Sequence, residues 1–264
     1  MYIDFHIHAY AEKVAEKAVS VLSQCPEVEN VYTDGTVRET RALLDRCGVD
    51  FGVVLPIATK PTQTAIINDW AIKHSHDNFI CFGTVHPDND NVEQELERIA
   101  EAGLRGIKLH PDYQECYMFD RRMQPIYRKC EQLGLMISLH MGYDPVSNRV
   151  RHAMPCDLAE VAEKYPSLTL IGAHMGGMSN WERVLHYVKG ASNVYLDTAF
   201  CAEFITDGMM CALIDHMGED RILLGSDLPW SLPTTQIEMI ERLDISDEVK
   251  QKIYWKNAAR LLKP

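Results

Sequence analysis

The stretch YIDFHIH at residues 2–8 is a short apolar run that ends in two histidines, and similar runs recur along the chain. Seven further runs have the composition of buried strands. They are Phe51–Ile57, Phe79–Val85, Leu104–His110, Gly134–His140, Leu168–His174, Asn193–Ala199 and Arg221–Asp227. After the first step, successive runs start roughly 25 to 34 residues apart, which suits one strand plus one crossover helix. Eight such units predict an α/β fold of the closed (β/α)8 type, a TIM barrel, in preference to an open doubly wound sheet.

Helical signals fill the segments between these runs. Residues 91–102 carry a one-sided apolar stripe, for which Asp90 is the expected N-cap. The segment Gln124–Leu133 repeats that pattern and is expected to end at Gly134. The long first step places an insertion at residues 9–45, where we expect either a lid or a pair of helices.

Composition excludes several classes of protein. The 264 residues are 46% hydrophobic and 24% charged, with no linker or low-complexity tract, so we expect one domain over residues 1–264. A formal net charge of −12 argues against a nucleic-acid partner. No apolar run is long enough to span a membrane, and we expect no secretion leader. The eight cysteines include no CxxC pair, so we expect reduced thiols and a cytoplasmic location.

Ionisable side chains stand at the ends of five of the runs. They are His6 and His8, Lys108 and His110, His140, His174, and Asp227. Residues two apart on a strand share a face, and the carboxyl ends of barrel strands meet at one mouth, so these groups should converge. A single histidine at a strand end is more often structural, but four histidines and an aspartate on four strands predict a divalent metal site. Imidazole and carboxylate ligands suit zinc or a similar ion better than magnesium or calcium.

The same residues lie in motifs that resemble the amidohydrolase superfamily. The resemblance is to its branch of metal-dependent TIM-barrel hydrolases, which includes aminocarboxymuconate-semialdehyde decarboxylase and related aromatic-acid decarboxylases. The matching pieces are DFHIHAY at 4–10, GIKLHPDYQ at 106–114, SLHMG at 138–142, IGAHMGG at 171–177, GSDLPW at 225–230 and KIYWKNAARLL at 252–262. They cover nearly the whole chain in the family's order, but they build the metal site and its scaffold without specifying a substrate.

The resemblance implies roles for the strand-end residues. His6, His8 and His140 would hold the metal, and Asp227 would be a further ligand or the base beside the bound water. His174 would act as an electrophilic or supporting histidine, or as another ligand. The expected cofactor is Zn²⁺, with Mn²⁺, Co²⁺ or Fe²⁺ as alternatives, in one or two copies.

Lys108 leaves three alternatives open. It could be a carbamate that bridges two metals, a plain cation that orients an acidic substrate, or a buried structural lysine. The wider set of candidate substrate-binding residues lies at the ends of the runs and in the loops after them. It consists of Lys108, His110, Tyr113, Arg149, Arg151 and Trp230.

The predicted activity is hydrolysis of a small molecule at a carbonyl or ester-like centre by a metal-activated water. Non-oxidative decarboxylation of an unsaturated or aromatic acid is the first alternative, because both reactions use the same ligands. A metal-binding barrel that has lost catalysis is the second. Residues 200–217 are rich in methionine and aromatic residues, so they predict either a homodimer interface or the core face of a helix.

Overall fold

Parallel strands make up the centre of the molecule. The computed structural model describes residues 1–23, 25, 28, 30–147 and 150–263, and within them nine short strands pair in parallel. The strands are β1 (Ile3–Ile7), β2 (Phe51–Val54), β3 (Phe79–Cys81), β4 (Gly83–Thr84), β5 (Gly106–Leu109), β6 (Met136–Leu139), β7 (Leu170–Gly172), β8 (Val194–Asp197) and β9 (Ile222–Leu223).

The strands close into a barrel. Strands β1 to β3 form one sheet and β4 to β9 another, each in chain order. Strands β3 and β4 are halves of one strand interrupted at Phe82, whose backbone N–H donates to the Val54 carbonyl at 2.9 Å. At the second seam, the N–H of Phe5 donates to the Leu224 carbonyl at 2.7 Å. With β3 and β4 taken as one strand, the predicted eight-stranded (β/α)8 barrel is confirmed.

A local irregularity in β1 changes the direction of the side chains near the end of that strand, including His6. The pairing of β1 with β2 shifts register between Asp4 and Ile7. On a regular strand Phe5 and His6 would face opposite sides. Here Phe5 packs edge-to-face on Phe82, with ring centroids 5.8 Å apart. The neighbouring His6 also points inward, where its Nδ1 donates to the buried Asp197 side chain. The irregularity thus re-aims the strand where it enters the mouth, which is a recognised use of a bulge.

Helices surround the barrel and follow the strands in turn. They are α1 (Glu12–Leu22), α2 (Val37–Arg46), α3 (Thr64–His74), α4 (Val92–Glu101), α5 (Gln124–Leu133), α6 (Pro155–Lys164), α7 (Trp181–Tyr187), α8 (Asp207–Met217), α9 (Pro233–Arg242), α10 (Asp247–Gln251) and α11 (Asn257–Leu262). A five-residue π-helical segment, Lys252–Lys256, joins α10 to α11. None of the described helices has both the length and the apolar character needed to cross a membrane.

The sequence signals for helices were accurate except at one cap. Helix α5 has the predicted bounds and ends at Gly134 with a left-handed φ of 69°. Helix α4 has Asn91 at its N-cap position, so the prediction of Asp90 was wrong. The side chain of Asn89 accepts a hydrogen bond from the Asn91 N–H at 2.7 Å, and the chain enters the helix one residue later. The insertion after β1 contains α1 and α2, as the helical alternative predicted.

Candidate metal centre

Three side chains from the two sides of the barrel seam converge at the mouth. His6 is in β1, His8 follows β1, and Asp227 follows β9. The Asp227 Oδ1 atom lies 3.0 Å from His8 Nε2 and 3.4 Å from His6 Nε2. One nitrogen or oxygen atom from each of these three residues lies within 4.8 Å of the corresponding atoms of the other two. These are ligand types that a borderline divalent ion prefers.

The other ring nitrogens of these histidines are already bonded. His6 Nδ1 donates to Asp197 Oδ2 at 3.0 Å, and His8 Nδ1 donates to the Leu55 carbonyl at 3.0 Å. A carbonyl or carboxylate oxygen can only accept, so the proton of each ring is on Nδ1. Each Nε2 faces the Asp227 carboxylate oxygen, and a divalent ion held there would take the place of a proton shared between them.

Burial sets the charge states of the cluster. Desolvation, with Lys108 nearby, lowers the pKa of His6 to about 4, so its imidazole is neutral and able to bind a metal at pH 7. Burial alone would raise the pKa of Asp227, but the adjacent His6 and His8 hold it far below its ordinary value. Asp227 is therefore ionised at pH 7. An imidazole pair beside a carboxylate fits a divalent cation.

A fourth donor comes from a chain of two histidines. His174 Nδ1 donates to the Ala199 carbonyl at 2.8 Å, which leaves its Nε2 atom as an acceptor. His140 Nδ1 donates to that His174 Nε2 at 3.0 Å. The remaining atom, His140 Nε2, is buried and has no hydrogen-bond partner among the described residues. An orphaned buried lone pair is costly unless a ligand uses it, so this atom also fits a metal.

A second group of possible donors does not fit a metal. One atom each of His110, His140 and Asp144 also lies within 4.8 Å of the others. However, the rings of His110 and His140 are stacked, with centroids 4.0 Å apart and planes 14° apart. Their in-plane lone pairs run nearly parallel and cannot both point at one ion. His110 Nδ1 also accepts from the N–H of Tyr113 at 3.3 Å, so its Nε2 carries the proton.

Lys108 is the basic side chain of the site. Its Nζ lies 3.3 Å from His6 Nε2, and the residue is 1% exposed at the end of β5. Desolvation lowers the pKa of Lys108 to about 8, opposed by Asp197 and Asp227, so the amine is mainly protonated at pH 7. Among the described residues that line the cavity, no other lysine or arginine is present.

A cavity opens beside these groups. Its walls are largely aromatic, and they include four of the six predicted substrate-binding residues, Lys108, His110, Tyr113 and Trp230. Arg151 does not line it, because its guanidinium lies against Ser147 and Asp112. Arg149 lies outside the described residues. The sequence did not indicate the cavity-lining role of Asp144, Pro145, Phe200 and Phe204, which follow strands β6 and β8 without a distinctive motif.

Strained backbone marks the strand ends at this mouth. His174, Phe200 and Asp227, which follow β7, β8 and β9, have φ values of 57°, 54° and 70°. Left-handed conformations are uncommon for residues other than glycine and cluster at functional sites. The strain supports a functional role for this end of the barrel.

Comparison with known proteins gives the family. The sequence profile of the amidohydrolase family matches residues 3–263. This chain belongs to the amidohydrolase family. Its fold is therefore that of an amidohydrolase-family enzyme.

Individual relatives of this amidohydrolase are more distant. Over 204 residues it is 25% identical to 2-amino-3-carboxymuconate-6-semialdehyde decarboxylase of Dictyostelium discoideum, which covers 64% of this chain and 56% of that protein. The match thus spans little more than half the length of that curated relative.

Two solved structures show the shared barrel. One is the 5-carboxyvanillate decarboxylase of Novosphingobium aromaticivorans, solved in complex with manganese and 4-hydroxy-3-methoxy-5-nitrobenzoic acid. It superposes with a TM-score of 0.73 at 18% identity, and the match covers 100% of this chain and 96% of that one. The 2,6-dihydroxybenzoate decarboxylase from Rhizobium has a TM-score of 0.73 at 17% identity, covering 99% and 98%. At such identities the likeness establishes the fold alone.

Proposed function

We propose that this chain is a metal-dependent, non-oxidative decarboxylase of a small aromatic or unsaturated carboxylic acid. The sequence alone favours hydrolysis, with decarboxylation as the alternative, whereas the named relatives favour the alternative. The complete donor set argues against a barrel that has lost catalysis.

The proposed metal ligands are His6 Nε2, His8 Nε2, Asp227 and His140 Nε2. The convergence of the first three and the orphaned lone pair of the fourth support this set. Zinc and manganese both suit it, and manganese is present in a similar structure. When bound, the ion supplies Lewis-acid stabilisation of negative charge and lowers the pKa of water.

We infer that the centre holds one ion and that Lys108 remains a cation. A second ion bridged by a Lys108 carbamate would need nitrogen atoms from both His140 and His174. The hydrogen bond between these two rings, and that from His174 to Ala199, occupies the atoms a second ion would require. His174 then orients His140, and its predicted role as an electrophile stays a prediction.

The observation that carries the proposal is the buried Lys108 ammonium in an aromatic-walled cavity beside the donor cluster. A decarboxylase must recognise a carboxylate, and a largely apolar cavity with aromatic walls suits a planar acid. We therefore assign Lys108 to the substrate's carboxylate.

In the proposed reaction, the bond between the carboxyl carbon and its neighbour breaks, CO₂ leaves, and a proton takes its place on that neighbour. Lys108 holds the carboxylate by charge until the bond breaks. The ionised Asp227 carboxylate takes a proton from a water in the cavity and passes it to the carbon, so Asp227 ends the step ionised again, and the hydroxide left by that water combines with the released CO₂ to give bicarbonate. Aromatic walls, including Trp230 and Phe200, hold the planar acid and exclude bulk water.

The direct test measures CO₂ release from a panel of hydroxybenzoic acids, with ester, lactone and amide hydrolysis measured on the same metal-loaded protein. Replacing Lys108→Met should raise KM for the acid about 10- to 100-fold, the equivalent of a lost charge-assisted hydrogen bond of about 1.5–3 kcal/mol. Lys60→Met, at an exposed lysine that does not line the cavity, is the matched control and should leave KM unchanged. Ester or lactone hydrolysis without CO₂ release from any acid would contradict the proposal.

The remaining expectations are also proposals. We propose that the partner is a small molecule, that the enzyme works in the cytoplasm and that it binds no nucleic acid. Cys47, Cys81, Cys116, Cys130, Cys156, Cys201 and Cys211 are free thiols, which agrees with a reducing compartment, and the net charge of −12 disfavours nucleic acid.

A further inference from the structure

We propose that His110 is a positioning residue whose ring is a flat plate that holds His140 at the angle needed to bind the metal. The plate is supported from behind by Tyr113 and Asp144. This inference rests on the metal centre of the proposed function, but not on the reaction that the centre performs.

Three rings are stacked at the end of strands β5 and β6. The rings of Tyr113 and His110 have centroids 3.6 Å apart and planes within 4°. The rings of His110 and His140 follow at 4.0 Å and 14°. Both histidines are buried, at 3% and 8% exposure, so neither ring has room to turn freely.

The far end of the stack is fixed to the next loop. The Tyr113 hydroxyl donates to Asp144 Oδ2 at 3.0 Å. The other carboxylate oxygen of Asp144 accepts from the backbone N–H groups of Val146 at 3.0 Å and Ser147 at 2.7 Å. Asp144 thereby joins the loop after β6 to Tyr113 and prevents the outer ring from moving away from His110.

The backbone that carries this ring is also anchored. The backbone N–H of His110 donates to Gln114 Oε1 at 3.1 Å, and Gln114 Nε2 donates to the carbonyls of Ala58 and Val85 at 3.0 and 2.8 Å. These bonds tie the loop after β5 to the segments that follow β2 and β4. The motif HPDYQ at 110–114 therefore contains a plate, its backing ring and its backbone anchor.

The orientation of the His140 ring depends on two contacts with neighbouring rings. The bond from His140 Nδ1 to His174 Nε2 sets the tautomer and one direction in the ring. The parallel His110 ring at 4.0 Å sets the tilt of the ring plane. Because Nε2, the proposed ligand atom, belongs to the same rigid ring, a change in that tilt would re-aim its in-plane lone pair.

The test is the dissociation constant for Mn²⁺ or Zn²⁺, measured by competition with a chromogenic chelator, so it needs no substrate. His110→Ala removes the plate and should weaken binding at least tenfold, within the range of about 10- to 100-fold seen for residues that orient metal ligands. His110→Phe keeps a flat ring without nitrogen atoms and should bind metal within about threefold of the unsubstituted protein.

A second pair of variants covers the case in which a change at His110 prevents folding. Tyr113→Leu removes the backing ring and should weaken metal binding, while Tyr113→Phe removes only the hydroxyl and should weaken it less. Circular dichroism of each metal-free variant shows whether the barrel has formed.

The outcomes separate this inference from the proposed function. Equal loss in His110→Ala and His110→Phe would mean that His110 acts through a nitrogen atom, which overturns the plate. Unchanged binding in His110→Ala and Tyr113→Leu would also overturn it. If the unsubstituted protein binds no divalent ion, the metal-dependent function itself fails.

Discussion

Asp197 lies behind the donor cluster and contacts both His6, a proposed ligand, and the backbone of His174. Its Oδ2 atom accepts from His6 Nδ1, and its Oδ1 atom accepts from the backbone N–H groups of His174 and Ala199 at 3.0 and 3.1 Å. Burial alone would raise the pKa of Asp197, but His6, His174 and Lys108 lower it, so both oxygens stay acceptors. One carboxylate thus orients a proposed ligand and the backbone of the histidine that supports another.

Asp197→Asn should weaken metal binding about 10- to 100-fold, because an amide has one acceptor oxygen for donors on two sides. The chelator competition assay measures this change. Asp112→Asn is the matched control, since Asp112 is also buried and accepts from the ring and N–H of His152, away from the donor cluster. Equal weakening in both variants would show a general loss of packing rather than a role in orienting His6.

At the scale of elements, helix ends show where local sequence is sufficient. Helix α5 ends at Gly134 in a left-handed conformation, and a Cβ atom there would meet no heavy atom within 4 Å. The requirement for glycine is therefore conformational and not steric. Gly208, in the first turn of α8, is equally open but has an ordinary φ.

These two glycines make a matched pair. Gly134→Ala should destabilise the protein by about 1–2 kcal/mol, because a Cβ is strained in the left-handed region. Gly208→Ala should stabilise it by up to about 1 kcal/mol, because alanine is the better helix former. Thermal unfolding of the two variants should shift Tm in opposite directions, by about 2–4 °C per kcal/mol for a chain of this size. Shifts of the same sign would contradict this account of the α5 terminus.

For the whole molecule, the donor cluster lies across the seam where the barrel closes. His6 lies in the first strand, His8 follows it and Asp227 follows the last strand, so an ion bound by all three would join the two ends of the fold. An ion that binds the folded chain and not the unfolded one stabilises the folded state by mass action.

Adding Mn²⁺ or Zn²⁺ at about 100 times its dissociation constant should stabilise the fold by about 2.7 kcal/mol. The measurement is Tm with and without the ion, after treatment with a chelator. His8→Ala should abolish the increase, while His76→Ala, which removes an exposed histidine far along the chain, should retain it. An increase that survives in His8→Ala would place the stabilising ion elsewhere.

The oligomeric state of the protein in solution stays a prediction. The structure supports the core-face alternative for part of residues 200–217, since Met210 and Met217 of α8 are buried within the subunit. Phe200 and Phe204 line the cavity instead. The expected homodimer therefore has less support from these residues than their composition indicates.

The sequence by itself determined the barrel, the bounds of helix α5 and a set of candidate ligand residues. Each of these follows from local chemistry: strand and helix periods, a glycine stop, and ionisable groups at the ends of apolar runs. Parallel strands then bring those ends to one mouth, whatever the details of packing. For this reason His6, His8, His140, Lys108 and Asp227 could be chosen without coordinates.

Only the tertiary structure decided how these residues act. The irregular register in β1, the two acceptors on Asp197 and the stack behind His140 all depend on contacts between residues far apart in the chain. The same holds for Arg151, whose attraction to Asp112 keeps it off the cavity wall. Tautomers, ring planes and ion pairs are set by the nearest atoms in space, and local sequence patterns do not specify which atoms those are.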